Sequence, residues 1–372
     1  MPKSRTTAGV LALAVVLPLV AAPTAQASAS ITELPGLPGY PTHRAIAVND
    51  LGQVVGVAEG NGKPRAVRWT ASGAAATDLG LGRPSGLNQV GQVLIEEGVS
   101  LTGPFVQRAR IWQDGTVTDL TPSGAGVVIA SAIGNTGVVP MTYSTSPSGY
   151  HQEKAVVWRD GKHTSLPVTG PHLWTSAVND AGVVAGSKAP MFGTDLHAFL
   201  CPDATTCRPL PTVPGSSTYS VEAINEAGVV VGNRDTKALR WAGDQVTVLS
   251  TSGGVANSPQ AINERGDVVG WTTDASGTRR ATLWRAGGGS VTLNVPGRSE
   301  AVAVNDRGDV IGWTGSAGSP RGFLWRDGKV VYLGSLGGTR SLPVALNERG
   351  TIVGESTTAD ATLKAVRWTV TG

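Results

Sequence analysis

Short apolar runs punctuate this chain, each bounded by Gly, Asn, Asp or Pro, and none continues with a helical period. The clearest is Val48-Asn49-Asp50-Leu51-Gly52-Gln53-Val54-Val55-Gly56: an aliphatic residue, Asn, an acid, any residue, Gly, then a Val/Ile run. The pattern returns at Asn88, Asn179, Asn225, Asn263, Asn305 and Asn347, with a weaker copy at Gly134, and Gln89 replaces the acid in the second copy. A second block, basic-Ala-x-x-Trp, ends at Trp69, Trp112, Trp158, Trp241, Trp284, Trp325 and Trp368, and Cys201 takes the Trp place in the fourth copy. From Trp69 to Trp368 there are seven intervals of about 43 residues, so residues 28–372 hold eight units.

Each unit reads as four short strands. Strand A runs to the Asn, as in Glu300 to Val304, and the Asn-Asp/Glu-x-Gly segment turns into strand B, as in Asp309 to Gly312. Strand C ends at the Trp, as in Gly322 to Trp325, and a turn such as Arg326-Asp327-Gly328-Lys329 leads into strand D, Val330 to Leu333. Four antiparallel strands at this period predict one propeller blade. Two places before the Asn stands a small residue in every copy (Ala47, Gly86, Ala132, Ala177, Ala223, Ala261, Ala303, Ala345), which suits an innermost strand crowded by its neighbours. The repeat Trps are expected to fill the space between blades.

The two ends complement each other. Ile31 to Leu34 reads as a strand D with no blade before it, while the last copy stops after its strand C at Trp368. The expected fold is therefore all-β: an eight-bladed β-propeller closed by an N-terminal strand in the last blade, with seven blades as the alternative.

Composition adds a compartment. Lys3 and Arg5, the apolar run Ala8 to Ala22 and Ala25-Gln26-Ala27 read as a secretory signal over residues 1–27, leaving 28–372 as one exported domain with no membrane-spanning segment. Leu166-Pro167-Val168-Thr169-Gly170 spells a sortase signal but sits mid-chain, where it cannot serve as one. Cys201 and Cys207 are expected to form a disulfide across the fourth C–D turn. Removing the signal lowers the formal charge from +3 to about +1, which gives no reason to expect nucleic acid as a partner. A monomer without cofactor or metal is expected.

The unit resembles the extracellular HAF repeat, named for His-Ala-Phe at the start of strand C. His197-Ala198-Phe199 matches it literally, Gly322-Phe323-Leu324-Trp325 closely, and Leu333-Gly334-Ser335-Leu336-Gly337-Gly338 also fits. The resemblance covers nearly all of residues 28–372 and implies an exported bacterial protein with no defined activity, so it carries over no site residues. The third copy departs most, with Gly134 for the Asn and Pro140 in strand B.

The A–B and C–D turns are short and uniform and should emerge on one face. The B–C and D–A connections vary and should carry function on the other. Aromatics gather there: Phe105, Tyr143, Tyr150, Trp174 and Phe192, beside His151, make a candidate ligand face on units two to four, and Tyr219, Trp271 and Trp313 map to the same side. A basic residue precedes the strand C Ala in every copy (Arg65, Arg108, Lys154, His197, Lys237, Arg280, Arg321, Lys364), a ring that is either structural, pairing with acids such as Glu59 or Asp274, or anion-binding. Zinc-helix, nucleophile-elbow, P-loop and calcium-loop signatures are absent, and adjacent Glu96 and Glu97 make a poor acid/base pair. His151 and His172 map to variable loops, and their burial with Glu153 in one pocket would favour catalysis. The sequence favours a secreted binding or adhesion module for carbohydrate or a surface protein, over a glycan-processing enzyme or a structural matrix protein.

Overall fold

The structure, a computed structural model, describes residues 28–60, 62–99, 106–146, 153–190, 195–215, 218–250 and 255–371. Residues 1–27, read as a signal, lie outside them. Among the described residues every regular element is a strand, and no helix is long and apolar enough to cross a membrane.

The strands form six four-stranded sheets and one of eight strands, in antiparallel A-B-C-D order as the repeat predicts. The eight-stranded sheet divides into two four-stranded units joined only at a parallel bridge between Arg321 and Ser341. The last unit consists of Gly337–Leu346, Ile352–Thr358 and Leu363–Thr371, with Ser28–Glu33 as its fourth strand. That strand pairs antiparallel with the C-terminal one from Ser28↔Thr371 to Glu33↔Val366, as expected, so the two ends complete one propeller blade. Pro140 does not disturb the third unit, where Val139–Ser144 pairs on both sides.

Local chemistry sets this shape. At the first A–B turn the Asn49 N–H bonds the Gln53 carbonyl and Gly52 takes φ +76°, a left-handed conformation that favours Gly. One feature was not foreseen: strand A shifts register between the residues four and two places before the Asn, for example at Ala45/Ala47 and Ala301/Ala303. Beside this bulge the Arg44 carbonyl lies against strand B. A side chain at Gly56 would strike that carbonyl and the Trp69 ring, which explains the Gly of the Val-Val-Gly run.

Packing between units explains the small inner-strand residues. Each leaves room for the aliphatic residue before the Asn of the next unit: Ala47 with Leu87, Ala223 with Ile262, Ala261 with Val304, Ala303 with Leu346, and Ala345 with Val48. At Gly86 a Cβ would sit 2.8 Å from Ile133 Cγ2. Six of the repeat Trps are buried fillers, Trp158 being half-buried, and three of their indole N–H groups hold the entering chain: Trp69 donates to the Pro35 carbonyl, Trp241 to Pro211 and Trp368 to Gly334, at 2.7–2.9 Å. In the fourth unit the Cys201–Cys207 disulfide replaces the indole, packed against Val138, Leu173 and Phe199.

Candidate functional site

Two side-chain belts encircle the molecule at the uniform A–B turns. In the first, each turn Asn donates from Nδ2 to the backbone carbonyl at the equivalent place in the next unit: Asn49 to Asn88, Asn88 to Gly134, Asn179 to Asn225, Asn225 to Asn263, Asn263 to Asn305, Asn305 to Asn347, and Asn347 back to Asn49. Gly134 has no side chain and breaks the belt once.

The second belt is unbroken, because the residue after each Asn accepts the backbone N–H of its counterpart in the preceding unit. It runs through Asp50, Gln89, Asn135, Asp180, Glu226, Glu264, Asp306 and Glu348. Burial pushes the carboxyls of Glu264 and Glu348 above their ordinary range, and neighbouring carboxylates add to the effect. The acid of the turn motif thus has a structural task. The belts fix the frame on which the opposite face is built.

On that opposite face the inner strands present unlike residues at one register, five places before the turn Asn: Arg44, Arg83, Ile129, Trp174, Ser220, Ser258, Glu300 and Leu342. Glu59 ties the two arginines of this circle together, and Arg279 and Arg298 hold Glu300. Ile129 and Trp174 are each 37% exposed, in neighbouring units. Trp174 stacks on His172 with ring centroids 6.1 Å apart and planes 21° apart. Glu153 lies beside them: its Oε2 accepts the Leu173 N–H at 2.5 Å, and its Oε1 is 3.9 Å from His172 Nδ1. Backbone and carboxylate thus anchor an aromatic pair that faces solvent.

The candidate residues fall out unevenly. Phe105, Tyr150, His151 and Phe192 lie outside the described residues. Trp174 and His172, expected on a variable loop, stand instead in strand A of the fourth unit, His172–Val178, whose pairing with strand B begins at His172↔Ala189. Tyr143, also expected on a loop, belongs to strand B of the third unit and is half-buried against the cluster of Leu94, Ile111 and Met141. Tyr219 is buried, and its hydroxyl bonds both the N–H and the carbonyl of Val213. Trp271 and Trp313 are covered by Arg279 and Arg298. Of the three groups whose clustering would favour catalysis, His172 and Glu153 are together, and His151 lies outside the described residues.

The basic ring is mostly engaged locally. Arg65 pairs with Asp78 at 2.7 Å and Arg280 with Asp274 at 2.9 Å, while Glu59 pairs with Arg44 and Arg83 rather than with a member of this ring. Lys237 bonds the Val255 carbonyl and Lys364 that of Pro41. Arg321 lies 3.9 Å over the Tyr332 ring, and Lys154 sits 6.0 Å from the Tyr143 ring centroid. Arg108 and His197 are exposed. Among the described residues no group of three or more His, Cys, Asp or Glu could hold a metal ion. Glu96 and Glu97 also diverge: the first is held by the Ala130 N–H, its carboxyl raised by burial, and the second faces Arg110 at 3.5 Å.

A cluster on the uniform-turn face escaped the sequence reading. Arg265, Arg307 and Arg349 occupy the third place of the turn only in the last three units, and Asp267 and Asp309 follow in two of them. The change from Leu, Val, Thr or Ala to Arg at one repeat position was the signal.

No family model matches the chain, and no curated protein does. Among solved structures it is similar to the β-propeller domain of the Trilobed protease from Pyrococcus furiosus, with TM-score 0.54 and 10% identity over 79% of this chain and 98% of that one. That domain is described as having an open velcro topology, whereas here Ser28–Glu33 pairs with Leu363–Thr371. A Mycobacterium tuberculosis puromycin-hydrolyzing peptidase is similar at TM-score 0.51 and 13% identity over 86% of this chain, which spans 59% of that one. At these identities the likeness shows the propeller fold.

Proposed function

We propose that the protein is an exported binding module that takes carbohydrate on the variable face of its third and fourth units. One observation carries this reading: Trp174 is solvent-facing on an inner strand, stacked on His172 and anchored beside Glu153, where most other units place short or charged residues. An indole face stacks on the C–H face of a sugar ring, and an adjacent imidazole and carboxylate bond its hydroxyls. Ile129 extends the apolar floor into the neighbouring third unit. The signal-like residues 1–27, the disulfide and the likeness to HAF repeats support export.

A glycan array probed with the purified protein tests the reading. Retention of at least one glycan, lost on Trp174→Ala by roughly 1 kcal/mol or more, is the expected result. A second reading, a glycan-processing enzyme, draws on the Glu153–His172 pair, a carboxylate within 3.9 Å of an imidazole at the same place. There Glu153→Gln would abolish product formation while leaving retention on the array intact.

A further inference from the structure

The seam of the ring lacks a cover that two other units have. In the first and sixth units the C–D turn folds over the A–B turn: Ala71 Cβ lies 3.2 Å from where a Cβ on Gly52 would be, and Ala286 takes the same position over Gly266 and donates its N–H to Asp267. Among the described residues the last unit has no such turn, because its fourth strand comes from Ser28–Glu33. Val370, the counterpart of Ala71, continues in strand toward Thr371. A cleft of about 450 Å³ lies there, lined by Arg307, Arg326, Arg349, Asp309, Asp327 and Thr369 among others.

The lining is built around Asp309, which is 2% exposed. Arg326 donates to it from Nε and Nη2 at 2.6 and 2.9 Å, and Arg307 from the same two nitrogens at 3.3 and 2.9 Å. Burial alone would raise this carboxyl, but the two guanidiniums outweigh it and hold it below the ordinary carboxylate range. Asn305, a member of the first belt, bonds Asp309 through both side chain and backbone. Gly350 makes room for this arrangement, since a side chain there would collide with the Arg307 guanidinium.

Two guanidiniums are therefore fixed in place, each with Nη1 free among the described residues. The guanidinium of Arg349 has no partner among the described residues, and only its backbone N–H is bonded, to Asn347. Three guanidiniums against two carboxylates leave the lining one net positive charge.

We propose that this seam cleft binds a tetrahedral oxyanion, a phosphate or sulfate group, held by Arg349 together with the outward edges of Arg307 and Arg326. Planar guanidiniums present paired N–H groups that match two oxygens of such an anion, and orientation by Asp309 removes part of the ordering cost. Thr369 and Thr351 line the same wall and offer hydroxyl donors. The site faces away from Trp174 and does not depend on carbohydrate binding there.

Calorimetric titration of the full chain with sodium sulfate, and separately with sodium phosphate, tests the proposal, with sodium chloride at matched ionic strength as reference. Saturable binding of one anion per chain, absent with chloride, is expected, and the tighter of the two salts identifies the group. Arg349→Gln should weaken it about tenfold without altering the melting temperature in chloride. Arg265→Gln, the same turn position but not part of the cleft lining, should change it less than twofold, and Trp174→Ala should leave it intact. Heats indistinguishable from chloride would overturn the proposal, as would equal weakening by the Arg265 and Arg349 variants, which would mean diffuse charge attraction.

Discussion

Asn225 offers the sharpest test of how the ring is held. Its side chain is 2% exposed, its Oδ1 accepts the Val229 N–H at 2.9 Å, and its Nδ2 donates to the Asn263 carbonyl in the next unit at 3.1 Å. Asn225→Ala deletes both bonds and leaves a buried donor and acceptor with fewer partners. Each bond has a net value of about 1 kcal/mol, and an orphaned buried group costs about 1–3 kcal/mol, so a total loss of about 2–4 kcal/mol is expected. With an unfolding entropy of about 2.1 cal/mol/K per residue over the propeller, that is a fall of roughly 3–6 °C in Tm by scanning calorimetry. The reverse change completes the belt at its gap. Gly134 is not in the left-handed region, so Asn is allowed there, and Nδ2 would reach the Asn179 carbonyl. That carbonyl lies 3.0 Å from the added Cβ and must give slightly, so Gly134→Asn should gain only about 1 kcal/mol. Unchanged melting of the Asn225 variant would refute the belt as a source of stability.

Three further outcomes follow from the fold. Deleting residues 28–33 removes the partner of Leu363–Thr371 and should lower Tm and yield oligomers in size-exclusion chromatography, since it exposes a strand edge; a monodisperse, equally stable product would contradict the closure. The native protein should show no thiol reactive to labelling without reductant, because Cys201 and Cys207 are joined; two labelled thiols would count against it. Burial lowers the pKa of His43, whose Nε2 bonds the Leu34 carbonyl just after the closing strand. The folded chain therefore keeps it neutral below about pH 6.5, where the unfolded chain takes up a proton. Stability from this site is full above that value and is lost as pH falls toward the lowered one, and His43→Gln should flatten that slope in urea titrations between pH 7 and 5.

Much of the fold was legible because one repeat carries it. The Asn, the Gly and the small residue each answer to a single constraint, and eight copies reveal what one would hide. The bulge in strand A was not legible, since it inserts a residue without any signature of its own, nor was the pairing beyond it, which reaches His172↔Ala189 and puts Trp174 and His172 in an inner strand rather than an expected loop. Tyr143 and Tyr219 show the same difficulty from the other side: an aromatic beside a variable loop looks exposed until the packing of its neighbours is known. The arginines of the last three turns lay in plain view, but the sharing of Asp309 between Arg307 and Arg326 depends on a contact between residues 17 apart. The pairing of Glu153 with His172 required folding the third unit against the fourth.

The most direct measurement is a side-by-side glycan array with the native protein and its Trp174→Ala variant, each checked for an unchanged melting curve. The native protein should retain a defined set of glycans and the variant should lose them together. Equal retention by both, or no retention by the native protein, would contradict a carbohydrate site on the third and fourth units.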